Sequence, residues 1–401
     1  MSSLQPRNAR EVTDAVAWAL DHETPLEVLG GGSKRGLGRP SRAEHRLDLS
    51  GLRGITLYEP EELVLTASPG TPLEEVEAVL AQRRQMLAFE PPALAALYGE
   101  GRPTLGGIVA CNLSGPRRIS AGAARDHFLG FQATTGRAER IKSGGRVMKN
   151  VTGYDLSKLM AGSYGTLGVL DEITLKVLPA PEKTRTVLLP GLDDVAGVAA
   201  LCKAMGEPVD VSGAAFLPAD IAVRSSVDYV RRQGGSVAAL RLEGPGPSVE
   251  DRCRHLRAAF AGIASEELHS ANSTAFWREV RELSLLSVGP DRAVWKLSLA
   301  PTEAPATLAR IRADAGNVEA YYDWSGGLVF VSLDAGDDCG VAIVRGARQE
   351  QAGHATLLRA PDAFRAAIPA FHPQPPALAA LSARVKEAFD PKGILNPGRM
   401  R

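Results

Sequence analysis

Cysteine is scarce and scattered. Four occur in 401 residues, at Cys111, Cys202, Cys253 and Cys339, with no C-x-x-C spacing and no histidine close by. Structural zinc and iron–sulfur centres need clustered thiolates and imidazoles, so neither is expected. Isolated thiols also suit a reducing compartment better than a disulfide framework. An excess of one charge is lacking too: 46 Lys+Arg balance 46 Asp+Glu, for a formal net charge of +0. Nucleic-acid binders carry a basic excess, so nucleic acid is not an expected partner. The same balance removes a repulsion that keeps proteins apart, which favours association with other subunits. No stretch reaches the ~20 apolar residues of a membrane helix. The opening Met1-Ser2-Ser3-Leu4-Gln5-Pro6 lacks the basic-then-apolar pattern of a signal peptide. A cytoplasmic chain is expected, with any contact at the inner face of a membrane made through partner subunits.

What is present is a globular, loop-rich chain, with 44% hydrophobic residues, Gly 41 and Pro 27. Asn8 and Glu11 read as a capping pair ahead of a helix that buries Val12, Val16, Ala19 and Leu20. Thr71-Pro72-Leu73-Glu74 predicts a second helix start, with Thr71 as cap and Pro72 at the first position. Leu73, Val76, Val79 and Leu80 are its predicted buried stripe. Residues 169–177 alternate like a half-buried strand, and Pro179-Ala180-Pro181 marks a domain boundary. Beyond it, helical stripes (Val195, Val198, Leu201, Cys202, Met205; Val249, Cys253, Leu256, Phe260) alternate with strands near 236–242, 293–299 and 327–333. This is the texture of a smaller α+β domain. A last helix runs through Leu378, Leu381, Val385 and Phe389.

The chemistry-bearing signal is glycine. Val28-Leu29 runs into Gly30-Gly31-Gly32-Ser33-Lys34-Arg35-Gly36. Consecutive glycines let main-chain N–H groups turn inward as an anion-binding hollow. Ser33 offers a hydroxyl donor, and Lys34 or Arg35 a positive field at the mouth. A pyrophosphate is a natural guest; a surface turn is the alternative. The stretch departs from G-x-G-x-x-G, which needs glycine at Arg35, and from a P-loop, which needs Gly-Lys-Ser/Thr where Gly36-Leu37-Gly38 stands. Two more clusters follow, Thr104-Leu105-Gly106-Gly107 through Asn112 to Gly115, and Gly162-Ser163-Tyr164-Gly165-Thr166-Leu167-Gly168. Three side-chain-poor loops in one domain suit a long ligand such as FAD cradled along its length. The competing reading is a tightly packed core of small residues.

The order of these motifs carries a resemblance. Gly30-Gly31-Gly32-Ser33, Ala67-Ser68-Pro69-Gly70-Thr71, Thr104-Leu105-Gly106-Gly107 and Arg125-Asp126-His127-Phe128-Leu129-Gly130 come first. Lys149-Asn150-Val151-Thr152-Gly153-Tyr154-Asp155, Lys158-Leu159, the third glycine loop and the closing Asn396-Pro397-Gly398 follow. Together they resemble the FAD domain of the vanillyl-alcohol-oxidase superfamily. Gly115-Pro116-Arg117-Arg118 with Ala121-Gly122-Ala123-Ala124-Arg125-Asp126 is similar, within it, to the FAD-binding subunits of bacterial glycolate oxidase.

The resemblance implies an α+β fold. A two-subdomain PCMH-type FAD-binding domain would span 1–180 and a smaller α+β cap 181–370, with segment 371–401 packing back on the FAD domain. It implies FAD, with Gly30, Gly31, Gly32, Ser33, Lys34, Arg35, Gly106 and Gly107 near the pyrophosphate. Gly36, Pro69, Gly70, Thr104, Asn112, Gly115, Arg125, Gly162, Ser163, Gly165, Thr166, Gly168 and Val169 complete the expected cofactor set. Since the first glycine loop holds no histidine, the flavin is expected to be noncovalent. The implied function is that of a subunit oxidising glycolate to glyoxylate, or relaying its electrons, beside a second FAD subunit and an iron–sulfur subunit.

The sequence departs from catalytic relatives in two places. The seven histidines are too dispersed to form the His-rich metal motif of 2-hydroxy-acid oxidising members, and Tyr164 stands where they commonly have Glu. No catalytic residue and no metal ligand is therefore assigned. Lys149, Arg125 and Tyr154 read as structural polar residues, and Tyr321, Tyr322 and Trp324 as core rather than flavin wall. A non-catalytic FAD-holding subunit and a stand-alone oxidase of another 2-hydroxy acid, such as D-lactate or 2-hydroxyglutarate, are the alternatives.

Overall fold

The computed structural model describes residues 2–99, 101–146, 153–348 and 353–400. The motif residues Lys149 to Thr152 lie outside the described residues. Contacts divide the chain into two compact units, one of 1–114, 122–180 and 373–401, the other of 115–121 and 181–372. The reading of an uninterrupted 1–180 domain needs correction, because segment 115–121 belongs to the second unit. The second boundary falls after His372 rather than after Ala370. The second unit is also about as large as the first.

In the first unit, β1 (Ser2–Leu4), β2 (Leu26–Leu29) and β3 (His45–Asp48) form a parallel sheet in the order β1-β3-β2. The helix Ala9–Asp21 packs with it through Val12, Val16 and Ala19. Its start is a reciprocal cap: the Glu11 N–H donates to Asn8 Oδ1 (2.9 Å), and the Arg7 N–H donates to Glu11 Oε2 (2.8 Å). The second sheet is antiparallel. It comprises β4 (Ile55–Glu59), β5 (Val64–Ala67), β7 (Phe128–Thr135), β8 (Arg140–Gly144) and β9 (Gly168–Lys176), in the order β4-β5-β9-β7-β8. A short pair, β6 (Gln85–Met86) with β10 (Leu178–Pro179), closes one side.

Two local expectations change. β9 is buried along nearly its whole length rather than on one face, because it is the central strand. Val169 packs with the helix Ala9–Asp21, and Leu170, Ile173 and Leu175 pack with the cluster around Phe89 and Phe131. Thr71 does not cap the second helix, Leu73–Gln82. Its hydroxyl is drawn to the preceding turn, donating to the Ser68 carbonyl (2.7 Å) and accepting from the Gly54 N–H (2.9 Å). Pro72 takes the capping position, where a missing N–H costs nothing.

The second unit is built on one eight-stranded antiparallel sheet. Its strands are β11 (Lys183–Pro190), β12 (Val211–Leu217), β13 (Val237–Gly244), β14 (Glu266–His269), β15 (Arg292–Ser298), β16 (Glu319–Asp323), β17 (Leu328–Asp334) and β18 (His354–Arg359). They lie in the order β14-β11-β13-β12-β16-β17-β15-β18. The helices Asp194–Met205, Gly246–Ala259 and Ala304–Asp314 bury Val198, Leu201, Val249, Cys253, Leu256, Leu308 and Ile311 in a core with Trp295 and Phe216. Val195 and Met205, read as part of that stripe, are exposed. Tyr321 and Tyr322 are fully buried, as a core assignment requires. In the carboxy-terminal helix Pro376–Phe389, Val385 and Phe389 pack into the first unit, whereas Leu378 and Leu381 face solvent.

Candidate functional site

The first unit holds an open cleft of about 790 Å³, part of it continuous with solvent. All three glycine loops reach it. Gly30, Gly31, Gly32, Ser33, Lys34 and Arg35 line one side, Gly106 and Gly107 with Thr104 and Pro69 another, and Ser163, Gly165 and Gly168 a third. Where glycine lines a cleft, the wall is main chain. No carboxylate is among the lining residues, while three cationic residues are. A wall of main chain, hydroxyls and cations suits an anionic ligand with flat parts, and so fits FAD with its pyrophosphate.

The glycines are needed for the loops to meet each other as much as for any guest. A Cβ on Gly31 would lie 1.9 Å from the Arg102 carbonyl oxygen, and one on Gly106 would lie 2.7 Å from Pro69 Cβ. The small-residue packing reading and the cradle reading therefore describe the same loops.

The charged residues of the first loop are differently employed than the sequence suggests. The Lys34 ammonium is buried and donates to the Ala93 carbonyl and to Ser33 Oγ (3.1 Å). Arg35 makes a two-pronged pair with buried Glu27, each N–O distance 3.0 Å. Glu27 also accepts from Arg46 (3.4 Å). These pairs hold the loop to β2 and β3, so both cations shape the hollow as well as charge it.

The remaining expected cofactor residues do not line the cleft. Gly36 packs on the Tyr98 ring, and Gly70 sits against the Leu49 carbonyl. Asn112 ends the helix Leu105–Cys111 in a left-handed conformation, and its side chain accepts the Arg125 N–H (3.0 Å). Arg125 itself is exposed beside Asp126. Gly162 approaches Asn112, Thr166 donates to the Ser163 carbonyl (2.6 Å), and Val169 is core. Gly115 belongs to the segment grouped with the second unit. Tyr154 is 90% exposed.

Sequence reasoning missed Val28, Leu29, Leu49, Ala110, Cys111, Tyr164, Leu170, Asn396 and Arg399 as lining residues. Burial pushes the Cys111 thiol up to about 11 and raises the Tyr164 phenol well above its ordinary range. Both side chains are therefore neutral at physiological pH. Asn396 opens the closing Asn-Pro-Gly motif and Arg399 directly follows it, which was the available signal.

The second unit carries a distinct polar cluster. The Arg118 guanidinium lies 4.3 Å from the centre of the Trp324 ring, and the Lys296 ammonium lies 5.0 Å from it. Trp324 is fixed by its indole N–H donating to the Gly115 carbonyl (3.1 Å) and its main-chain N–H to Asp323 Oδ1 (2.7 Å). Desolvation and then the neighbouring Arg118 lower the Lys296 ammonium to about 8. His354 is lowered too, by burial first and then by Lys296. Arg348 meets His372 at 2.9 Å. Among the described residues, no group of three or more His, Cys, Asp or Glu is placed to hold a metal.

Comparison with known proteins supplies independent findings. Residues 3–144 match the FAD binding domain family, and residues 373–400 match the C-terminal domain of FAD linked oxidases. The chain is 36% identical over 98% of its length, and 97% of the relative's, to glycolate oxidase subunit GlcE of Escherichia coli. It is 30% identical to glycolate oxidase subunit GlcD of Bacillus subtilis, over 46% of this chain and 38% of that one. The fold matches solved structures over 99% of this chain and 88% of theirs: a 4-ethylphenol oxidase from Gulosibacter chungangensis (TM-score 0.73, 15% identity) and a p-cresol methylhydroxylase (TM-score 0.71, 14% identity). No helix among the described residues is long and apolar enough to cross a membrane.

Proposed function

Since the chain belongs to the glycolate oxidase subunit family of FAD-linked oxidases, we propose that it is the FAD-binding subunit of a complex that oxidises glycolate to glyoxylate. The observation that carries the reading is the near full-length similarity to a glycolate oxidase subunit, which coincides with a main-chain-lined cleft that has no carboxylate among its described lining residues. Gly30 to Ser33, Gly106 and Gly107 offer main chain to the pyrophosphate, and Lys34 and Arg35 keep the loop in place. Bound FAD would supply a hydride acceptor for the carbinol carbon. The attachment is read as noncovalent, because the first glycine loop, where covalent relatives often carry a histidine, holds none.

Oxidation of a hydroxy acid also needs a cation for its carboxylate. Arg118 and Lys296, gathered on one face-bearing indole, are the candidates within the second unit. The complex would include a second FAD subunit and an iron–sulfur subunit, as the likeness to glycolate oxidase subunits suggests; the dispersed cysteines of this chain agree with iron–sulfur chemistry lying in another subunit. Free thiols also suit a cytoplasmic location, with membrane contact at the inner face made through partners.

The test is optical. The purified chain is expected to be yellow, and anaerobic glycolate bleaches its flavin bands if this subunit takes the hydride itself. A flavin that stays oxidised until the partner subunits are added identifies it as a relay. A chain that cannot be reconstituted with FAD overturns the proposal.

A further inference from the structure

We propose that Asn396 is a positioning residue that sets the separation of two walls of the cofactor cleft; the inference rests on the FAD reading above. Its side-chain amide is used at both ends. The Val28 N–H donates to Asn396 Oδ1 (2.8 Å), and Asn396 Nδ2 donates to the Tyr164 carbonyl (2.8 Å). Val28 leads into the first glycine loop and Tyr164 lies in the third, and both line the cleft with Asn396 itself. One buried amide thus joins two loops that are 136 residues apart, as the two bonds' sequence separations of 368 and 232 imply.

The backbone around Asn396 is fixed for this task. The Leu26 N–H donates to the Ile394 carbonyl (2.7 Å), and the Asn396 N–H donates to the Leu26 carbonyl (3.0 Å). The chain therefore continues the edge of β2. Asp390 accepts from the Ile394 and Leu395 N–H groups at 3.0 and 2.9 Å. Asn396 adopts φ 44°, a left-handed conformation that Asn tolerates better than most residues. Gly165 permits the approach, since a Cβ there would lie 2.9 Å from Asn396 Nδ2.

Two further staples run from the same segment to the same loops. Arg399 donates to the Lys34 carbonyl (2.7 Å), and the Lys386 ammonium donates to the Thr166 carbonyl (2.6 Å). The carboxy-terminal segment thus bonds twice to each side. The amide is specific because it needs one acceptor and one donor: an aspartate keeps the acceptor for Val28 but turns a charged oxygen toward the Tyr164 carbonyl. A protonated aspartic acid restores the donor.

The experiment measures FAD affinity of the full chain, by flavin fluorescence, between pH 8 and pH 5. Wild type is expected to change little. Burial and the facing Tyr164 carbonyl push a carboxyl at this position above the ordinary range of aspartate, so Asn396→Asp is expected to bind about tenfold more weakly at pH 8 and to recover toward pH 5, whereas Asn396→Ala stays weak throughout. Cys111 and Tyr164 on the same wall, both pushed up by burial, stay neutral across that range and do not contribute. Cycling one sample between the two pH values separates the effect from misfolding. If Asn396→Asp does not fold, Lys386→Met, which removes a staple from outside the cleft lining, is expected to weaken FAD about fivefold. Wild-type affinity in Asn396→Ala, or an Asn396→Asp that stays weak at pH 5, overturns the inference, as does an unaffected Lys386→Met. Failure of the wild type itself to bind FAD overturns instead the reading beneath it.

Discussion

Replacing Glu243 with glutamine is expected to destabilise the second unit by about 3 kcal/mol at neutral pH. Glu243, near the end of β13, receives a two-pronged pair from Arg117, both distances 2.9 Å, and lies 3.5 Å from Arg241. Both side chains of the Arg117 pair are largely buried, at 12% and 9% exposure, so solvent screens them little. Burial alone would raise the carboxyl, yet Arg241 and Arg117 outweigh it and hold Glu243 down at about 2. The gap from its ordinary 4.5 corresponds to about 3 kcal/mol of stabilisation, fully present above 4.5 and lost as pH falls toward 2. For a unit of this size the loss corresponds to a thermal midpoint lower by roughly 6–12 °C. Urea unfolding of wild type and Glu243→Gln, followed from pH 7 to pH 2, checks this. The two stabilities should differ most at neutral pH and converge in acid. Curves that stay parallel over that range, or a neutral-pH difference below about 0.5 kcal/mol, would refute the electrostatic reasoning.

Two other outcomes are expected. Gly31→Ala forces a methyl onto the Arg102 carbonyl, so it should cost about 1–3 kcal/mol and lower the flavin retained after purification; unchanged flavin content at unchanged thermal midpoint would contradict the packing described. Lys296→Met should raise the KM for glycolate at least about tenfold without loss of flavin. In wild type, carboxylate binding needs the protonated ammonium, so affinity should fall as pH rises through about 8. Lys296→Arg should move that fall to higher pH, and a pH profile of KM identical in both proteins would exclude the role.

Local chemistry was legible in the sequence, and long-range pairing was not. The Asn8–Glu11 cap and the Val12–Val16–Ala19 stripe follow from neighbours a few residues apart, and the structure holds both. The three glycine loops were visible because glycine marks main-chain closeness wherever it arises. Which of those residues face the cleft depended on partners far along the chain. Gly36 needs Tyr98, Gly70 needs Leu49, and Asn396 acquires its place only through Val28 and Tyr164. Thr71 misled because its hydroxyl had a nearer partner in the turn before the helix. Leu378 and Leu381 continue the apolar spacing of Val385 and Phe389, but they extend past the core that receives the latter pair. Arg117 and Arg118 read as part of a first-domain motif, while their contacts with Glu243 and Trp324 assign them to the second unit.

The pairing of Leu26 with Leu395 has a consequence for biosynthesis. A nascent chain exposes its first glycine loop early, yet Arg399, which bonds the Lys34 carbonyl, is made 365 residues later. The second unit is nearly continuous in sequence and can condense first, whereas the walls of the cleft meet only once Asn396 and Arg399 have been made. The cofactor cleft is thus closed by a segment synthesised after the whole second unit.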